Sequence, residues 1–312
     1  MEVGSGKVLV TGATGFIGGR LVRALVAEGH QVRCLVRHPA AKLPEGVERA
    51  AGDLLQKQTL GAAVAGIDTA YYLVHSMAGG VGFERRDRES AENFTAAAER
   101  AGVRRVIYLG GLGDVGSGLS EHLASRAEVA NILGSGRFLT TWLRAAVIIG
   151  PGSASYEMVK ALVERLPVMV VPRWVYTRCQ PIAVDDVIRY LLGCLGDERT
   201  AGETFDIGGP EILSYRDMIK RFARLQGKDP LMIPVPVLTP WLSSYWVVLV
   251  TPVDPAVAVP LVEGLKNDVI CRDDRIRMLM PFPLTAFDDA VRQALGTAPP
   301  SVPGTPDGTG PK

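Results

Sequence analysis

Hydrophobic residues follow two different periods in the first half of the chain. Short apolar runs, as in buried β-strands, alternate with segments whose apolar residues recur every three or four positions, as in helices. The predicted strands are 8–11, 31–36, 47–51, 69–74, 105–109 and 141–149. This alternation predicts an α/β fold in which helices cover a doubly wound parallel sheet.

The first helix has the clearest pattern. Its apolar residues lie on one face, which we expect to pack on the sheet. They are Phe16, Ile17, Leu21, Val22, Leu25 and Val26. Gly29 follows where the helix should end, because glycine readily adopts the left-handed conformation of a helix C-terminus.

The second half of the chain is less regular. It contains a predicted helix at 185–195, a strand at 204–207 and a helix from 214 to about 226, opened by Ser214 and Asp217 in the spacing of a capping box. We expect a core unit at 5–150 and a smaller C-terminal lobe at 151–296 that also completes the core. Residues 297–312 are rich in proline and glycine, which predicts a disordered tail.

Composition argues against several classes of function. With 312 residues and 47% hydrophobic content, the chain can bury a large core. Lys and Arg total 34 against 33 Asp and Glu, and no segment concentrates the basic residues, so we expect no nucleic-acid partner. The four cysteines are far apart and share no C-x-x-C spacing, so we expect reduced thiols and no metal site.

Two segments bear on location and partners. Residues 1–4 lack the basic and apolar regions of a secretory signal, which favours a cytoplasmic protein. Residues 230–253 carry no charge but contain five prolines, so no membrane-spanning helix is predicted. This segment, which includes Trp241 and Trp246, lines a substrate pocket, contacts a membrane surface or forms ordinary core or subunit interface. A monomer and a homodimer are both compatible with the sequence.

The strongest motif is a glycine-rich turn between the first strand and the first helix. Gly12 allows the turn, Gly15 lets the backbone approach a pyrophosphate, and Gly18 permits close packing of helix on sheet. The helix N-terminus adds N–H groups and a positive dipole. The strand before the motif and the helix after it favour a Rossmann-type dinucleotide site over a turn without a ligand. The residues of this predicted site are Gly12, Ala13, Thr14, Gly15, Phe16, Ile17 and Gly18.

The end of the second strand bears on which dinucleotide is bound. An acidic residue there would hold the ribose 2′-hydroxyl of NAD, but this chain has Arg37, nineteen residues after Gly18. A guanidinium suits a 2′-phosphate, so the sequence favours NADP(H) over NAD(H). The alternative is a solvated arginine at a strand end.

Further motifs, in order along residues 7–227, resemble the extended and atypical short-chain dehydrogenases/reductases, including NmrA-like proteins and nucleoside-diphosphate-sugar epimerases. They are Gly52-Asp53-Leu54, Val74-His75-Ser76, Gly150-Pro151-Gly152 and the segment QPIAVDDV at 180–187.

The resemblance implies a Rossmann fold and assigns further residues to the cofactor site. It implies that Asp53 and Leu54 border the adenine, although Asp53 is otherwise a turn residue. It implies that Val74, His75 and Ser76 line the ribose and diphosphate. Pro151 and Gly152 are expected near the nicotinamide.

The chain departs from the family at the catalytic positions. The usual enzymes carry a serine after the fifth strand and a Tyr-x-x-x-Lys pair on the next helix. Here glycines, including Gly110, stand at the likely serine position and are expected beside the cofactor, while His122 and Arg126 keep the spacing of the Tyr and Lys. Arg126 would supply a cation beside the nicotinamide ribose, and His122 a proton, because an imidazole titrates near pH 6.5. Otherwise His122 has no catalytic role, and His75 only shapes the pocket.

Two functions from different classes remain open. The first is an NADPH-dependent reductase acting on a largely apolar small molecule, such as an enone, a quinone-like ring or an imine. The second is a non-catalytic NADP(H) binder, such as a sensor or assembly factor. A sugar epimerase or dehydratase is less favoured, because those activities rest on the missing tyrosine and because residues 230–253 offer no charge to pair with a diphosphate.

Overall fold

A seven-stranded parallel sheet lies at the centre of the protein. The computed structural model describes residues 6–76, 82–113, 120–235, 250–265 and 267–297. The strands of the sheet are β1 Lys7–Val10, β2 Val32–Val36, β3 Glu48–Ala51, β4 Ile67–Tyr72, β5 Arg105–Gly111, β6 Leu139–Ala145 and β11 Thr204–Ile207. Their order is β3-β2-β1-β4-β5-β6-β11, and every neighbouring pair is parallel. The predicted doubly wound Rossmann fold is confirmed.

Helices cover both faces of the sheet. Those described are α1 Gly18–Ala27, α2 Leu60–Val64, α3 Phe83–Ala101, α4 Glu121–Gly134, α5 Ala154–Arg165, α6 Val184–Gly196, α7 Tyr215–Leu225, α8 Pro255–Gly264, α9 Arg275–Leu279 and α10 Phe287–Ala294. Leu21 of α1 and Leu191 of α6 belong to the core on one face. Phe94 of α3 and Leu133 of α4 belong to the core on the other.

The observed positions of several elements agree with those predicted from their local sequence. The apolar face of α1 is buried at Leu21, Val22 and Leu25, and Gly29 adopts a φ of +82° after the helix. The hydroxyl of Ser214 accepts the backbone N–H of Asp217 at 3.1 Å, so the predicted cap of α7 is confirmed. An N-cap oxygen satisfies a donor that would otherwise have no partner at a helix start.

The prediction of a single strand over 141–149 is wrong. The strand β6 ends at Ala145, and the next apolar residues form β7 Ile148–Ile149, which pairs with β10 Ile182–Ala183. Ala146 donates its N–H to the carbonyl of Ile207 in the main sheet. Both sheets bury apolar residues, so the run of hydrophobic positions continues through the bend between them.

The second half of the chain builds a lobe with its own core. Tyr156 of α5, Phe222 of α7 and Val291 of α10 are fully buried together. Short strands complete the lobe in two further pairs. They are β8 Val168–Val171 with β13 Leu231–Pro234 and β9 Arg178–Cys179 with β12 Leu213–Ser214. The predicted tail from 298 onward and residues 236–249 of the uncharged segment, with both tryptophans, lie outside the described residues.

The order of the strands places a cleft at one edge of the sheet. On one side of β1 lie β2 and then β3, and on its other side lie β4, β5, β6 and β11 in turn. In open α/β sheets, ligands bind at the carboxyl ends of the strands where the order reverses. This point lies after Val10 and Tyr72, where the glycine-rich turn and residues 73–76 follow their strands.

Candidate functional site

The glycine-rich turn is packed so closely that two of its glycines have no room for a side chain. Gly12 has a φ of +66°, and a Cβ there would lie 2.7 Å from the carbonyl oxygen of Leu73. A Cβ on Gly18 would overlap the carbonyl oxygen of Gly12. Gly15 donates its N–H to that same oxygen at 2.9 Å. The turn therefore brings the start of α1 directly against the ends of β1 and β4.

The turn before α1 is exposed to solvent, and the helix begins without a side-chain cap. Thr14 and Gly15 are exposed, whereas Ala13 is buried. Among the described residues no side chain caps the helix, whose N-cap is Ile17, and its first turn contains no acidic residue. The first N–H groups of a helix lack intrahelical acceptors and carry the positive end of its dipole. These features fit the pyrophosphate of a dinucleotide.

Thr11 joins the two central strands at the point where the sheet order reverses. Its N–H and its hydroxyl both donate to the carbonyl of Tyr71, at 3.0 and 3.1 Å. Its hydroxyl oxygen accepts the N–H of Leu73 at 3.1 Å. Sequence reasoning did not single out this residue, although its position directly before Gly12 was a usable signal.

The loop containing Pro151 and Gly152 is attached to the first helix. Arg20 donates to the carbonyl of Phe16 at 2.9 Å and to that of Pro151 at 2.8 Å, and its guanidinium lies 4.5 Å from the centre of the Phe16 ring. A Cβ on Gly152 would contact the Phe16 ring at 3.6 Å. Burial lowers the pKa of Arg20 from its usual value. Arg20, which the sequence analysis missed, thus fixes the loop beside the glycine-rich turn.

Arg37 follows the last residue of β2 and is exposed. It makes no ion pair with any carboxylate in the described part of the chain. Beside it, Arg49 of β3 donates to the carbonyls of Pro39 and Ala41, the latter at 2.9 Å, and so holds the loop after Arg37. The guanidinium of Arg37 is therefore available to an anion at this end of the site.

Asp53 and Leu54 lie in the loop after β3. The Asp53 carboxylate accepts the N–H of Leu55 at 3.0 Å, and its own N–H donates to the Thr59 hydroxyl at 2.9 Å. Leu54 is buried in the core, and its carbonyl accepts the amide of Asn93 at 2.8 Å. Asp53 therefore serves as a turn residue, and its place beside an adenine stays a prediction.

A buried carboxylate organises the loop after β4. Asp87 of α3 accepts the N–H of Ser76 at 2.6 Å and the hydroxyl of Ser125 at 3.3 Å, so it joins this loop to α4. Burial raises its pKa, although hydrogen bonds from Ser76 and the charge of Arg126 act in the opposite direction. Asp87 was missed in the sequence. It is the only carboxylate on the buried face of α3, which also includes Phe83, Ala91 and Phe94.

Arg126 lies over the carboxyl end of β5. The Nη1 of Arg126 donates to the carbonyl of Leu109 at 3.3 Å. The Tyr108 hydroxyl donates to the backbone carbonyl of Arg126 at 3.2 Å. A Cβ on Gly111 would lie 2.8 Å from Leu123 and 3.5 Å from the Cδ of Arg126, so this glycine leaves room for α4. The cation predicted from the sequence is present at the edge where β4 and β5 end.

Gly110 has a structural reason to be glycine that does not involve a ligand. A Cβ there would lie 2.5 Å from the indole nitrogen of Trp142 and 3.1 Å from the ring of Tyr108. These two rings are stacked with their centres 6.4 Å apart. The packing accounts for the glycine, and a role in holding the cofactor stays a prediction.

His122 is buried beneath α8. Its Nδ1 lies 2.9 Å from the Ser120 hydroxyl, and its ring also forms a hydrogen bond with the backbone of Pro260. A Cβ on Gly264 would contact the imidazole at 2.9 Å. Burial, together with the charge of Arg126, lowers the pKa of His122 to about 4. The imidazole is therefore neutral at pH 7 in the protein without ligand.

His75 lies between the glycine-rich turn and α4. Its side chain is exposed to solvent. Partial desolvation, followed by the charges of Arg126 and His122, lowers the pKa of His75 from its usual value. A Cβ on Gly12 would contact Val74 at 3.3 Å, so the loop carrying His75 is also in contact with the glycine-rich turn.

The structure thus brings part of the predicted site together. The glycine-rich turn, residues 73–76 and Arg126 meet where β1, β4 and β5 end. His122 is on the same helix as Arg126, but its imidazole forms a hydrogen bond with the backbone of Pro260 in α8. Within the described residues, no helix is both long enough and apolar enough to cross a bilayer, and no group of His, Cys, Asp or Glu is arranged to hold a metal.

Comparisons with known proteins agree with this geometry. A protein-family profile described as NAD(P)H-binding matches residues 12–145. Residues 12–145 are an NAD(P)H-binding Rossmann domain. This domain contains the glycine-rich turn, Arg37 and Arg126, and it is consistent with the predicted resemblance to atypical short-chain dehydrogenases/reductases.

Several proteins similar to this chain are named as dehydrogenases or reductases. A 3-beta-hydroxysteroid dehydrogenase of Mycolicibacterium neoaurum is 37% identical over 115 residues, which are 33% of this chain and 31% of that protein. A ceramide reductase of Caulobacter vibrioides is 28% identical over 247 residues, 74% of each chain. The chain spans about a third of the length of the first curated relatives that it matches.

Solved structures share the fold. A short-chain dehydrogenase/reductase superfamily protein from Agrobacterium tumefaciens with bound NAD has a TM-score of 0.68 to this chain. The two are 18% identical, and the match covers 93% of this chain and 96% of that one. At this identity the likeness concerns the fold alone.

Proposed function

We propose that the protein is an NADP(H)-dependent reductase that transfers hydride to a largely apolar small molecule. The observation that carries this proposal is the junction of the glycine-rich turn, residues 73–76 and the guanidinium of Arg126 at one edge of the sheet. A cofactor held at the turn would extend along this edge, and Arg126 would be the cation nearest its reactive end.

The preference for NADP(H) rests on Arg37. Its exposed guanidinium follows β2, where the adenosine ribose of a dinucleotide bound to the turn would lie. Charge-assisted, bidentate hydrogen bonds to a 2′-phosphate are stronger than bonds between neutral groups. No described carboxylate pairs with this arginine, so a phosphate would not have to displace one.

Arg126 and His122 would have different roles in the reaction. Bound NADPH would supply the hydride. The positive charge of the Arg126 guanidinium would orient the cofactor ribose and stabilise negative charge that develops on the substrate. His122 would deliver a proton, but a pKa of about 4 leaves about one imidazole in a thousand protonated at pH 7. Proton delivery by this route is therefore expected to strengthen as the pH falls.

The apolar substrate class is supported by the chain and by its relatives. Residues 230–253 carry no charged side chain, and a diphosphate buried there would have no partner. The relatives named above include a steroid dehydrogenase and a ceramide reductase, whose names denote apolar compounds. We propose enones, quinone-like rings and imines as the acceptor groups, since hydride can reach them without a tyrosine-polarised carbonyl.

A non-catalytic NADP(H) binder is the second candidate. The observation in its favour is that both sides of the His122 ring are already engaged, by Ser120 and by the backbone of Pro260. A sensor of cofactor state would need the glycine-rich turn and Arg37 but no proton donor.

The two candidates differ in turnover. The purified protein is incubated with NADPH and a panel of enones, quinones and imines, and loss of absorbance at the nicotinamide band is followed. Oxidation that depends on both protein and acceptor supports the reductase, and Arg126→Ala should abolish most of it. Tight NADPH binding with no oxidation by any acceptor class supports the binder and contradicts the reductase.

A further inference from the structure

The loop that carries Arg37 begins where the pairing of β2 with β3 ends. The last Cα partners in this pairing are Val36 and Ala51. Every residue of β2 is buried, whereas residues 37–40 are all exposed. Within the loop, the N–H of Ala41 donates to the carbonyl of His38 at 3.0 Å and closes a turn. A single turn holds an exposed loop only weakly, because such backbone opens at little cost in free energy.

Arg49 of β3 supplies a second attachment for this loop. Its Cα lies opposite that of Cys34 in the pairing of β3 with β2. Its guanidinium donates through Nη1 to the carbonyl of Pro39 and through Nη2 to that of Ala41, the latter at 2.9 Å. The loop is therefore bound to β3 at two points shortly after Arg37.

The second half of the loop is packed on the core. Ala41 and Leu43 are partly buried against the apolar cluster that contains Leu21 of α1. A Cβ on Gly46 would lie 4.0 Å from Val26, so the loop also passes close to this helix. The bonds from Arg49 thus join the exposed half of the loop, which includes Arg37, to a half that is already fixed.

The geometry of these two bonds suits an arginine. A guanidinium is a planar fork with five N–H donors, so its terminal nitrogens reach two carbonyls in a fixed relative direction. A lysine ammonium is a compact charge on a flexible chain and constrains its acceptors less. The substitution Arg49→Lys therefore separates the effect of the fork from the effect of the charge.

We propose that Arg49 is a positioning residue for cofactor specificity. By holding the carbonyls of Pro39 and Ala41, it keeps Arg37 ready to bind the 2′-phosphate, so that less conformational freedom is lost when NADP(H) binds. A cofactor without this phosphate gains nothing from the attachment. This role depends on the proposed preference for NADP(H), and Arg49 acts through Arg37 rather than on the cofactor itself.

The test compares two cofactors that differ only in the 2′-phosphate. NADPH and NADH are titrated calorimetrically into the full chain and into its Arg49→Gln variant. The variant should bind NADPH about tenfold more weakly, the lower range for a lost hydrogen bond to a charged group. Its affinity for NADH should be unchanged. A purely structural role would weaken the binding of both cofactors equally, and that result would overturn the proposal.

The conservative variant tests whether the fork itself is needed. Arg49→Lys keeps the charge but cannot hold both carbonyls in the same way, so it should lose most of the same affinity for NADPH. Its affinity for NADH should again be unchanged. Full wild-type affinity for NADPH in Arg49→Lys would show that the charge alone suffices and would contradict the positioning role.

A double-mutant cycle with Arg37→Gln distinguishes positioning from direct contact. If Arg49 acts through Arg37, adding Arg49→Gln to Arg37→Gln should not weaken NADPH binding any further. Another loss of about tenfold in the Arg37→Gln background would mean that Arg49 itself binds the phosphate. That outcome would overturn the positioning role.

Arg165 of α5 provides a matched control. It is also exposed, and its Nη1 donates to a backbone carbonyl, that of Val250, at 2.6 Å. Arg165→Gln makes the same change of charge in the C-terminal lobe and should alter the affinity for neither cofactor. An equal loss of NADPH affinity in Arg165→Gln and Arg49→Gln would reveal only a general charge effect and refute the assignment.

These binding measurements do not depend on turnover. If Arg49→Gln selectively loses NADPH affinity but no acceptor oxidises NADPH, the reductase function fails while the role of Arg49 stands. If Arg37→Gln removes the preference for NADPH and Arg49→Gln retains it, only the role of Arg49 fails. Equal binding of the two cofactors by the unmodified protein overturns both the NADP(H) assignment and the role of Arg49.

Discussion

The carboxylate of Asp87 accepts the backbone N–H of Ser76 at 2.6 Å, and this bond ties the loop after β4 to the second turn of α3. The same carboxylate reaches the Ser125 hydroxyl of α4. Three elements around the proposed reaction centre therefore depend on one buried acid. Its raised pKa records that the burial of its charge is not fully compensated by these partners.

The substitution Asp87→Asn should make stability less sensitive to pH. A carboxyl whose pKa is raised by folding favours the folded state when protonated, so wild-type stability falls as the pH rises from the usual value of 3.8 through the raised pKa. Asparagine can still accept the Ser76 N–H but does not titrate. We expect urea denaturation to show that the free energy of unfolding of the wild type falls between pH 4 and pH 7 relative to that of the variant. A constant difference between the two proteins would contradict this account.

Arg37→Asp should reverse the cofactor preference. In the wild type we expect NADPH to bind more tightly than NADH by roughly 1.5 to 3 kcal/mol, the range for a hydrogen bond to a charged group. Aspartate repels the 2′-phosphate and can accept the 2′-hydroxyl of NADH. Titration calorimetry with both cofactors measures the difference.

The control for this change is Arg137→Asp, an exposed arginine just before β6 at the opposite edge of the sheet. It introduces the same charge change and should keep the preference for NADPH. Equal affinity of the unmodified protein for the two cofactors would remove the assignment to Arg37.

Gly12→Ala should destabilise the fold and weaken NADPH binding together. The substitution forces a side chain into a left-handed conformation, at about 1 to 2 kcal/mol, and adds a collision with the carbonyl of Leu73. Gly61→Ala is the matched control, because Gly61 lies in α2 and a Cβ there meets nothing within 4 Å. That control should raise stability by roughly 0.5 to 1 kcal/mol. Thermal denaturation and NADPH titration distinguish the two variants, and equal effects would contradict the packing argument.

The proton-donor role of His122 predicts a particular pH profile. If its charged form delivers the proton, the single-turnover rate of NADPH oxidation should rise about tenfold per unit as the pH falls from 8 to 6, since the pKa is about 4. His122→Gln should lower the rate roughly 10² to 10⁴-fold and flatten the profile, without weakening NADPH binding. A variant with the wild-type rate and profile would exclude this histidine from the mechanism and leave His75 or solvent as the donor.

The fold and the cofactor turn could be predicted because their signals are local. The run of apolar residues before Gly12, the spacing of Gly15 and Gly18, and the helical period that follows all lie within thirty residues. The position of Arg37 could be predicted for the same reason, since it depends only on where the second strand ends.

Features that depend on distant packing could not be predicted. The sequence leaves open whether His122 is a proton donor or a helix residue without a catalytic role, because its surroundings are set by Pro260 and Gly264, about 140 residues later in the chain. Asp87 resembled an ordinary polar residue of a charged helix until Ser76 and Ser125 were seen to converge on it. The end of β6 at Ala145 is set by its partner strand β11, not by any change in hydrophobicity.

The pairing of β6 with β11 also has a consequence during synthesis. The partner of β6 is made roughly 60 residues later, which takes about 3 to 12 seconds at about 5 to 20 residues per second. Until Ile207 has left the ribosome, the nascent chain presents β6 as an open strand edge, and the Arg144 guanidinium on that edge lacks Asp206. Unpaired strand edges recruit other chains. The chain is therefore most exposed to aggregation and to chaperone binding in the interval when its Rossmann domain has been synthesised but the strand that closes the sheet has not.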